Sequence, residues 1–286
     1  EGTLSSNARL RRRDVAGYNN IAYIVDYLTI GQNAVLTIDP GVVIKFPAQW
    51  VWRSITVDGA LVADGTAAQR IIFTSLRDDQ SGGDTNNDGN ESTPARGDWW
   101  AVIFSPTSND TLNSLRNCDF RYGGNPTDYD PVYKNYGMLQ VSSSRVLIDS
   151  CYFQQSSTSA IGIYGSADPT VTNCQISGAD ITPVTMSMFA NPAFANNSAY
   201  NVAYMALGIV PETYAVTASI PKRDFGGSTN ITYLLMGGGY SIVSTVNSGT
   251  TLTIPEGVVF KGWPVDYGAP RFVVNGGLII NGTSTD

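Results

Sequence analysis

Histidine is absent from this chain. That absence removes the commonest general base, the serine triad in its usual form and histidine-ligated zinc. Charge is also scarce, with Asp, Glu, Lys and Arg making up 14% of the residues. Gly, Ser, Thr and Asn fill the space, a mix that suits short strands and turns better than helices, which need Ala, Leu, Glu and Lys. No long stretch keeps an apolar period of about 3.6 residues, so the chain reads as all-β. No apolar run approaches the roughly 18 residues of a membrane span, and no signal-peptide pattern is visible. Positive charge is limited to one short run, Arg11-Arg12-Arg13, against a net charge of −7 and a pI of about 4.6. Nucleic acid is therefore not an expected partner, because phosphate binding needs clustered Lys and Arg. Three cysteines cannot all pair within the chain, which excludes a disulfide scaffold.

What is present is repetition. Cys118, Cys151 and Cys174 sit in similar contexts, "RNCDF", "DSCYF" and "TNCQI", each with a small polar residue before the cysteine. Cys151 and Cys174 are 23 residues apart, and a further step of 23 lands on Asn197. Cys118 and Cys151 are 33 apart, so residues 123 to 137, "GGNPTDYDPVYKNYG", supply an extra loop. Three short strands and three turns need roughly 20 to 25 residues, the usual size of one parallel β-helix coil. Apolar strands such as "VLID", "IGIY" and "VTNCQI", separated by Gly, Ser, Asn and Pro, point to the parallel β-helix coil, each coil burying its apolar face on its neighbours. The cysteines then stack in successive coils as small buried apolar side chains.

A longer repeat accompanies the short one. "RDVAGYNNIAYI" (13–24) matches "RDFGGSTNITYL" (223–234), "VLTIDPGVVIKF" (35–46) matches "TLTIPEGVVFKG" (251–262), and "VDGALVADGT" (57–66) matches "VNGGLIINGT" (274–283). Arg13 and Arg223, Asp14 and Asp224, Asn20 and Asn230, and Tyr23 and Tyr233 fall in register at a spacing of 210. The chain of 286 residues thus reads as an N-terminal segment 1–12, a repeat unit 13–222 and a partial second unit 223–286. Such a unit of 210 residues is expected to hold about nine coils and, at about 4.8 Å per coil, to advance on the order of 40 Å. The opening of a second unit predicts either a longer array in the same chain or subunits meeting head to tail.

The segments "LTIDPGVVIKF", "ITVDGALVADGTAAQRIIFTS" and "GDWWAVIF", with an acidic Gly-Asp-Asn loop before the last, resemble bacterial secreted and cell-surface proteins built on right-handed parallel β-helix repeats. The resemblance covers residues 28 to 125 and 240 to 286 well and 140 to 200 weakly. It implies an extracellular or cell-surface solenoid of adhesive or structural use.

The acidic loop is "SGGDTNNDGNES", residues 81–92. Asp84, Asn86 and Asp88 occupy positions one, three and five of a calcium loop, Gly89 permits the sharp turn at six, and Asn90 is placed to give a backbone carbonyl. The twelfth position, a bidentate Glu in helix-loop-helix sites, is Ala95 here, so the closing carboxylate is expected from Asp98 or from Asp78 and Asp79. Four carboxylates, Asp78, Asp79, Asp84 and Asp88, within eleven residues repel one another unless a cation is present. Calcium in a structural role is the expected reading, and a metal-free solvated turn is its alternative.

Two rivals to a structural role remain open. Pectin-degrading enzymes use β-helices, but their paired acid and base carboxylates and their Asn-Thr-Asp and Gly-His-Gly segments are missing. A calcium-assisted lyase would need a base from Arg77, Arg96 or Arg121. A polysaccharide-binding surface is the other rival: Tyr122, Tyr129, Tyr133 and Tyr136 beside Asp128 and Asp130, with Trp50 and Trp52 facing one way, are amphipathic aromatics of the sort that stack on sugars. Those aromatics serve equally well to cover a loop or a subunit contact. The expected function is a non-catalytic, calcium-stabilised β-helical protein that works in assembly or adhesion.

Overall fold

Short apolar strands cut by Gly, Asn and Pro turns cannot bury both faces alone, and in this chain they wind into a stack. The computed structural model describes residues 2–48, 53–125, 136–237, 243–263 and 270–282. Among these, every named element is a strand and none is a helix. The strands pair in parallel from one coil to the next. The first face is a ten-stranded sheet running from Gly2–Leu4 to Phe260–Gly262. The second face has seven strands, Ala8–Leu10 to Ala193–Ala195, and the third has seven, Tyr23–Ile24 to Ser198–Tyr200. Two three-stranded sheets complete the C-terminal coils, one beginning at Thr213–Tyr214 and the other at Ala218–Ser219. The fold is a parallel β-helix solenoid.

In-register parallel pairing places like side chains directly above one another, and the core is built of such columns. Phe73, Phe120 and Phe153 stack with ring centroids 4.7 and 5.0 Å apart, each pair contributing about 0.5–1.5 kcal/mol beyond its buried area. Cys118, Cys151 and Cys174 form a neighbouring column, all buried and unpaired. The small polar residue before each cysteine has a conformational cause. Asn117, Ser150 and Asn173 adopt φ of 47°, 55° and 54°, a left-handed turn that Asn tolerates better than most residues. Asn197 continues the column, accepting from the Cys174 amide at 3.0 Å through its side-chain oxygen.

The long repeat is visible as one hairpin built twice. In the first copy Val15 bridges Tyr18, the Ile21 amide donates to Arg13 O at 2.9 Å, and the Asn20 amide donates to the Asp14 carboxylate at 2.7 Å. In the second, Phe225 bridges Ser228, Ile231 donates to Arg223 O at 2.8 Å, and Asn230 donates to Asp224 at 2.8 Å. Gly17 and Gly227 take φ of 86° and 83° at the same turn position, where a side chain would be strained. Tyr23 and Tyr233 each donate from Oη to a backbone carbonyl twelve residues back, at 2.6 Å.

Among the described residues, twenty-two strands, from Tyr23–Ile24 to Ala218–Ser219, separate corresponding points of the two copies. With three strands per coil this is seven coils and one strand, fewer than the nine coils expected from length, because the residues around the acidic loop leave the stack between Ile71–Ser75 and Ala101–Phe104. The odd strand has a geometric consequence. Val43–Phe46 lies on the third face, but its counterpart Phe260–Gly262 extends the first. The second copy is therefore turned by one face of the solenoid relative to the first.

Candidate functional site

The acidic loop leaves the strand Ile71–Ser75 and folds back over the outer side of the third face. Lys45, in the middle of the strand Val43–Phe46, is wholly buried there, and its Nζ donates to Gly83 O at 2.6 Å. Arg121 Nη1 donates to Ser81 Oγ at 3.1 Å. Burial pushes the Lys45 ammonium below its usual pKa, against the opposing pull of Asp78, Asp79 and Asp84.

Within the loop, oxygens of Asp79, Asp84 and Asp88 lie within 4.8 Å of one another. The turn that brings them together is held by the Asp84 carboxylate, which accepts from the Asp88 amide at 3.1 Å and the Gly89 amide at 2.9 Å. Asn87 and Gly89 take left-handed φ of 55° and 69° to close it. Asn86 lies against Asp88, donating from Nδ2 to Asp88 Oδ2 at 2.6 Å and to Ser92 Oγ at 3.1 Å. The other oxygens of these side chains are different in kind. Asp79 Oδ1, Asn86 Oδ1 and Asp88 Oδ1 are each shut off from solvent and have no hydrogen-bond partner. An oxygen in that state costs about 1–3 kcal/mol, and three in one loop fit a bound cation. Three carboxylates and an amide carbonyl, all hard oxygen donors, suit Ca2+ or Mg2+ rather than a softer metal.

The remaining candidate ligands are placed elsewhere. Asp78 accepts from Thr74 Oγ1 at 2.7 Å and faces Arg121 at 3.9 Å. Asp98 accepts from Ser75 Oγ at 2.6 Å, Arg77 Nη1 at 3.2 Å and the Ala95 amide at 3.0 Å. Asn90 is exposed. The closing carboxylate of the cluster is thus Asp79, and Asp78 and Asp98 fasten the two roots of the loop. Lys45 was not anticipated, although a single Lys inside "VVIKF" was a visible signal of a buried charge needing a partner.

The aromatic candidates divide. Trp50, Trp52, Tyr129 and Tyr133 lie outside the described residues, as do Asp128 and Asp130. Tyr136 is a correction to the idea of an exposed stacking ring. It packs with Tyr164, Ile181, Val210 and Met236 in a buried apolar cluster, and its carbonyl accepts from Tyr164 Oη at 2.5 Å. Tyr122 is half-buried, and burial, then Asp78, pushes its phenol pKa up.

The arginines named as possible bases are each engaged with a carboxylate. Arg77 pairs with Asp98 at 3.2 Å, Arg96 with Asp180, and Arg121 with Asp119 at 2.9 Å. Asp119 also takes Arg70 Nε, and the Arg70 guanidinium lies 3.8 Å over the Tyr152 ring. A guanidinium so paired suits holding loops better than removing a proton. The cysteine column is buried throughout: burial pushes the Cys151 thiol well above its usual pKa, and contact with Cys151 and burial push Cys174 up too.

The family described as right handed beta helix region matches residues 100–261, more than half of the chain. No curated protein matches the chain, and no solved structure does. No helix among the described residues is long and apolar enough to cross a membrane.

Proposed function

The chain belongs to the family of right-handed β-helix regions, and from that premise we propose that it is a non-catalytic structural or adhesive protein of the cell exterior, stabilised by calcium, in which repeat units stack in series. The observation that carries this reading is the seat of the second hairpin. Arg223 Nη1 donates to Pro192 O at 2.8 Å and Nη2 to Ala190 O at 3.1 Å, both on the preceding coil. Phe225 is only 3% exposed in that seat, edge-on to Phe194 at 4.8 Å. One copy of the repeat thus rests on the last coils of another through backbone acceptors and an aromatic contact, the nearest-neighbour interface from which solenoid arrays are made. The units are residues 13–222 and 223 onward, and the partner is another unit of the same kind, in the same chain or a neighbouring one.

A non-catalytic role is supported by the arginine and carboxylate pairs above, which tie up the groups an enzyme of this fold would need free. The acidic loop with its unpartnered oxygens supports calcium, which abounds outside cells and is bound by extracellular modules at about 10⁻⁴–10⁻³ M. Sedimentation and electron microscopy of the intact chain test the assembly reading. Rods that lengthen with concentration are the expected result, and compact monomers at every concentration would overturn it. Incubation with polygalacturonate is expected to release no unsaturated or reducing ends.

A further inference from the structure

We propose that one divalent cation of the calcium class, held by Asp79, Asp84, Asn86 and Asp88, is the clasp that keeps the loop of residues 76–98 down on the third face over Lys45. The inference rests on the calcium reading above and adds which oxygens hold the ion and what the ion holds in place. Acidic residues crowd together on many surfaces without a metal, so the carboxylates alone do not decide it. The deciding observation is the division of labour within each side chain. Asp88 Oδ2 and the Asn86 amide nitrogen are used in hydrogen bonds inside the loop, whereas Asp79 Oδ1, Asn86 Oδ1 and Asp88 Oδ1 are buried with no donor at all. Single oxygens in that state also occur at Asn20 and Asn230, but here three fall within one loop that also gathers three carboxylates. The Asn86 oxygen is the most telling of the three, because it carries no charge and is not part of the acidic crowd.

What the clasp holds follows from the geometry. Asp79 stands near the root of the loop, close to the end of the strand Ile71–Ser75, and Asp84 to Asp88 form its outer turn. An ion between them joins turn to root. The turn carries Gly83, whose carbonyl is the acceptor for buried Lys45. Without the ion, three carboxylates within 4.8 Å of one another repel, and lifting the turn would also release Lys45 to solvent. Asp78 and Asp98 fasten to Thr74 and Ser75, which would keep the strand Ile71–Ser75 in place, so the opening is confined to residues 76–98 and takes in Arg77 and Arg96.

The intact chain carries its own reporters, since Arg77 and Arg96 flank the turn and both are partly exposed. The test uses the full chain stripped with EGTA and then titrated with CaCl2 by calorimetry, with trypsin cleavage mapped by mass in EGTA and in calcium. One calcium per chain is expected, with cleavage at Arg77 and Arg96 slowed at least ~10-fold by calcium, as opening controls proteolysis. Far-UV circular dichroism should be the same in both conditions. Asp88→Asn and Asn86→Ala should each weaken calcium binding at least ~10-fold and remove the protection, while Asp98→Asn keeps binding. Because Asn86→Ala changes no charge, its loss of binding separates a built site from loose counter-ions. Absence of any calcium binding would overturn both this inference and the calcium reading. Binding with unchanged cleavage would overturn the clasp alone. Binding that survives Asn86→Ala and Asp88→Asn would overturn the ligand set alone.

Discussion

The two copies of the hairpin share their internal hydrogen bonds and differ in what lies beneath them. Residues 223–234 rest on the coil of Ala190 to Phe194, and Phe225 is 3% exposed. Residues 13–24 have the same turn, but Val15 is 50% and Tyr18 74% exposed, and the Arg13 side chain donates to Tyr23 Oη at 3.1 Å. The motif therefore folds by local chemistry, from Asp and Asn side chains that satisfy the turn and a glycine at its left-handed position. Its energetic weight comes from the neighbour. This is the separation expected of a solenoid, in which intrinsic and interface terms add.

The comparison can be broken most easily at the aromatic contact. Phe225→Ala should cost about 3–5 kcal/mol, as for other buried aromatics, while Val15→Ala should change stability by less than about 0.5 kcal/mol. Urea unfolding of the two variants measures both, and similar losses would mean that the covered seat contributes little. The arginines come next. Arg223→Ala leaves the Ala190 and Pro192 carbonyls without their donor and should cost about 1–3 kcal/mol, whereas Arg13→Ala should stay within about 0.5 kcal/mol. The aspartates sharpen the comparison from the other side. Asp14→Ala and Asp224→Ala each remove one acceptor inside the turn and should cost about 0.5–1.5 kcal/mol, equally in both copies. An unequal pair would show that the turn itself depends on its cover.

The smallest effect is one of pH. Burial pushes the Tyr233 phenol above its ordinary pKa, with Arg223 opposing. The neutral ring is then favoured by the folded state, so its contribution is fully present below the unfolded-state value of about 10 and is lost as pH rises through the folded one. Tyr233→Phe should flatten the alkaline limb of a stability profile. An unchanged limb would place the alkaline sensitivity elsewhere.

Much of this was legible in the residues. The 210-residue register of Asp, Asn and Tyr could be read because each has a backbone duty in both copies that few other residues perform, and the cysteine spacing could be read because in-register coils stack like on like. The D-x-N-x-D-G order marked the turn where three carboxylates meet. The partners of Asp98 could not be read, because Ser75 and Arg77 reach it through the return of a loop whose path no local pattern encodes, and Arg121 faces Asp78 from the next coil. Tyr136 looked like a loop aromatic, since its partners Ile181, Val210 and Met236 come from distant coils. The turning of the second copy by one face depends on the number of strands modulo three, which length alone does not reveal.

The central claim is that one repeat gains its stability by sitting on another, and hydrogen exchange at two matched amides tests it most directly. Ile21 and Ile231 donate to Arg13 O and Arg223 O at 2.9 and 2.8 Å, so their local bonds are alike. The account predicts that Ile231 exchanges orders of magnitude more slowly, near the rate set by opening of the surrounding coils, while Ile21 exchanges by local fraying. Equal protection at the two amides would contradict it.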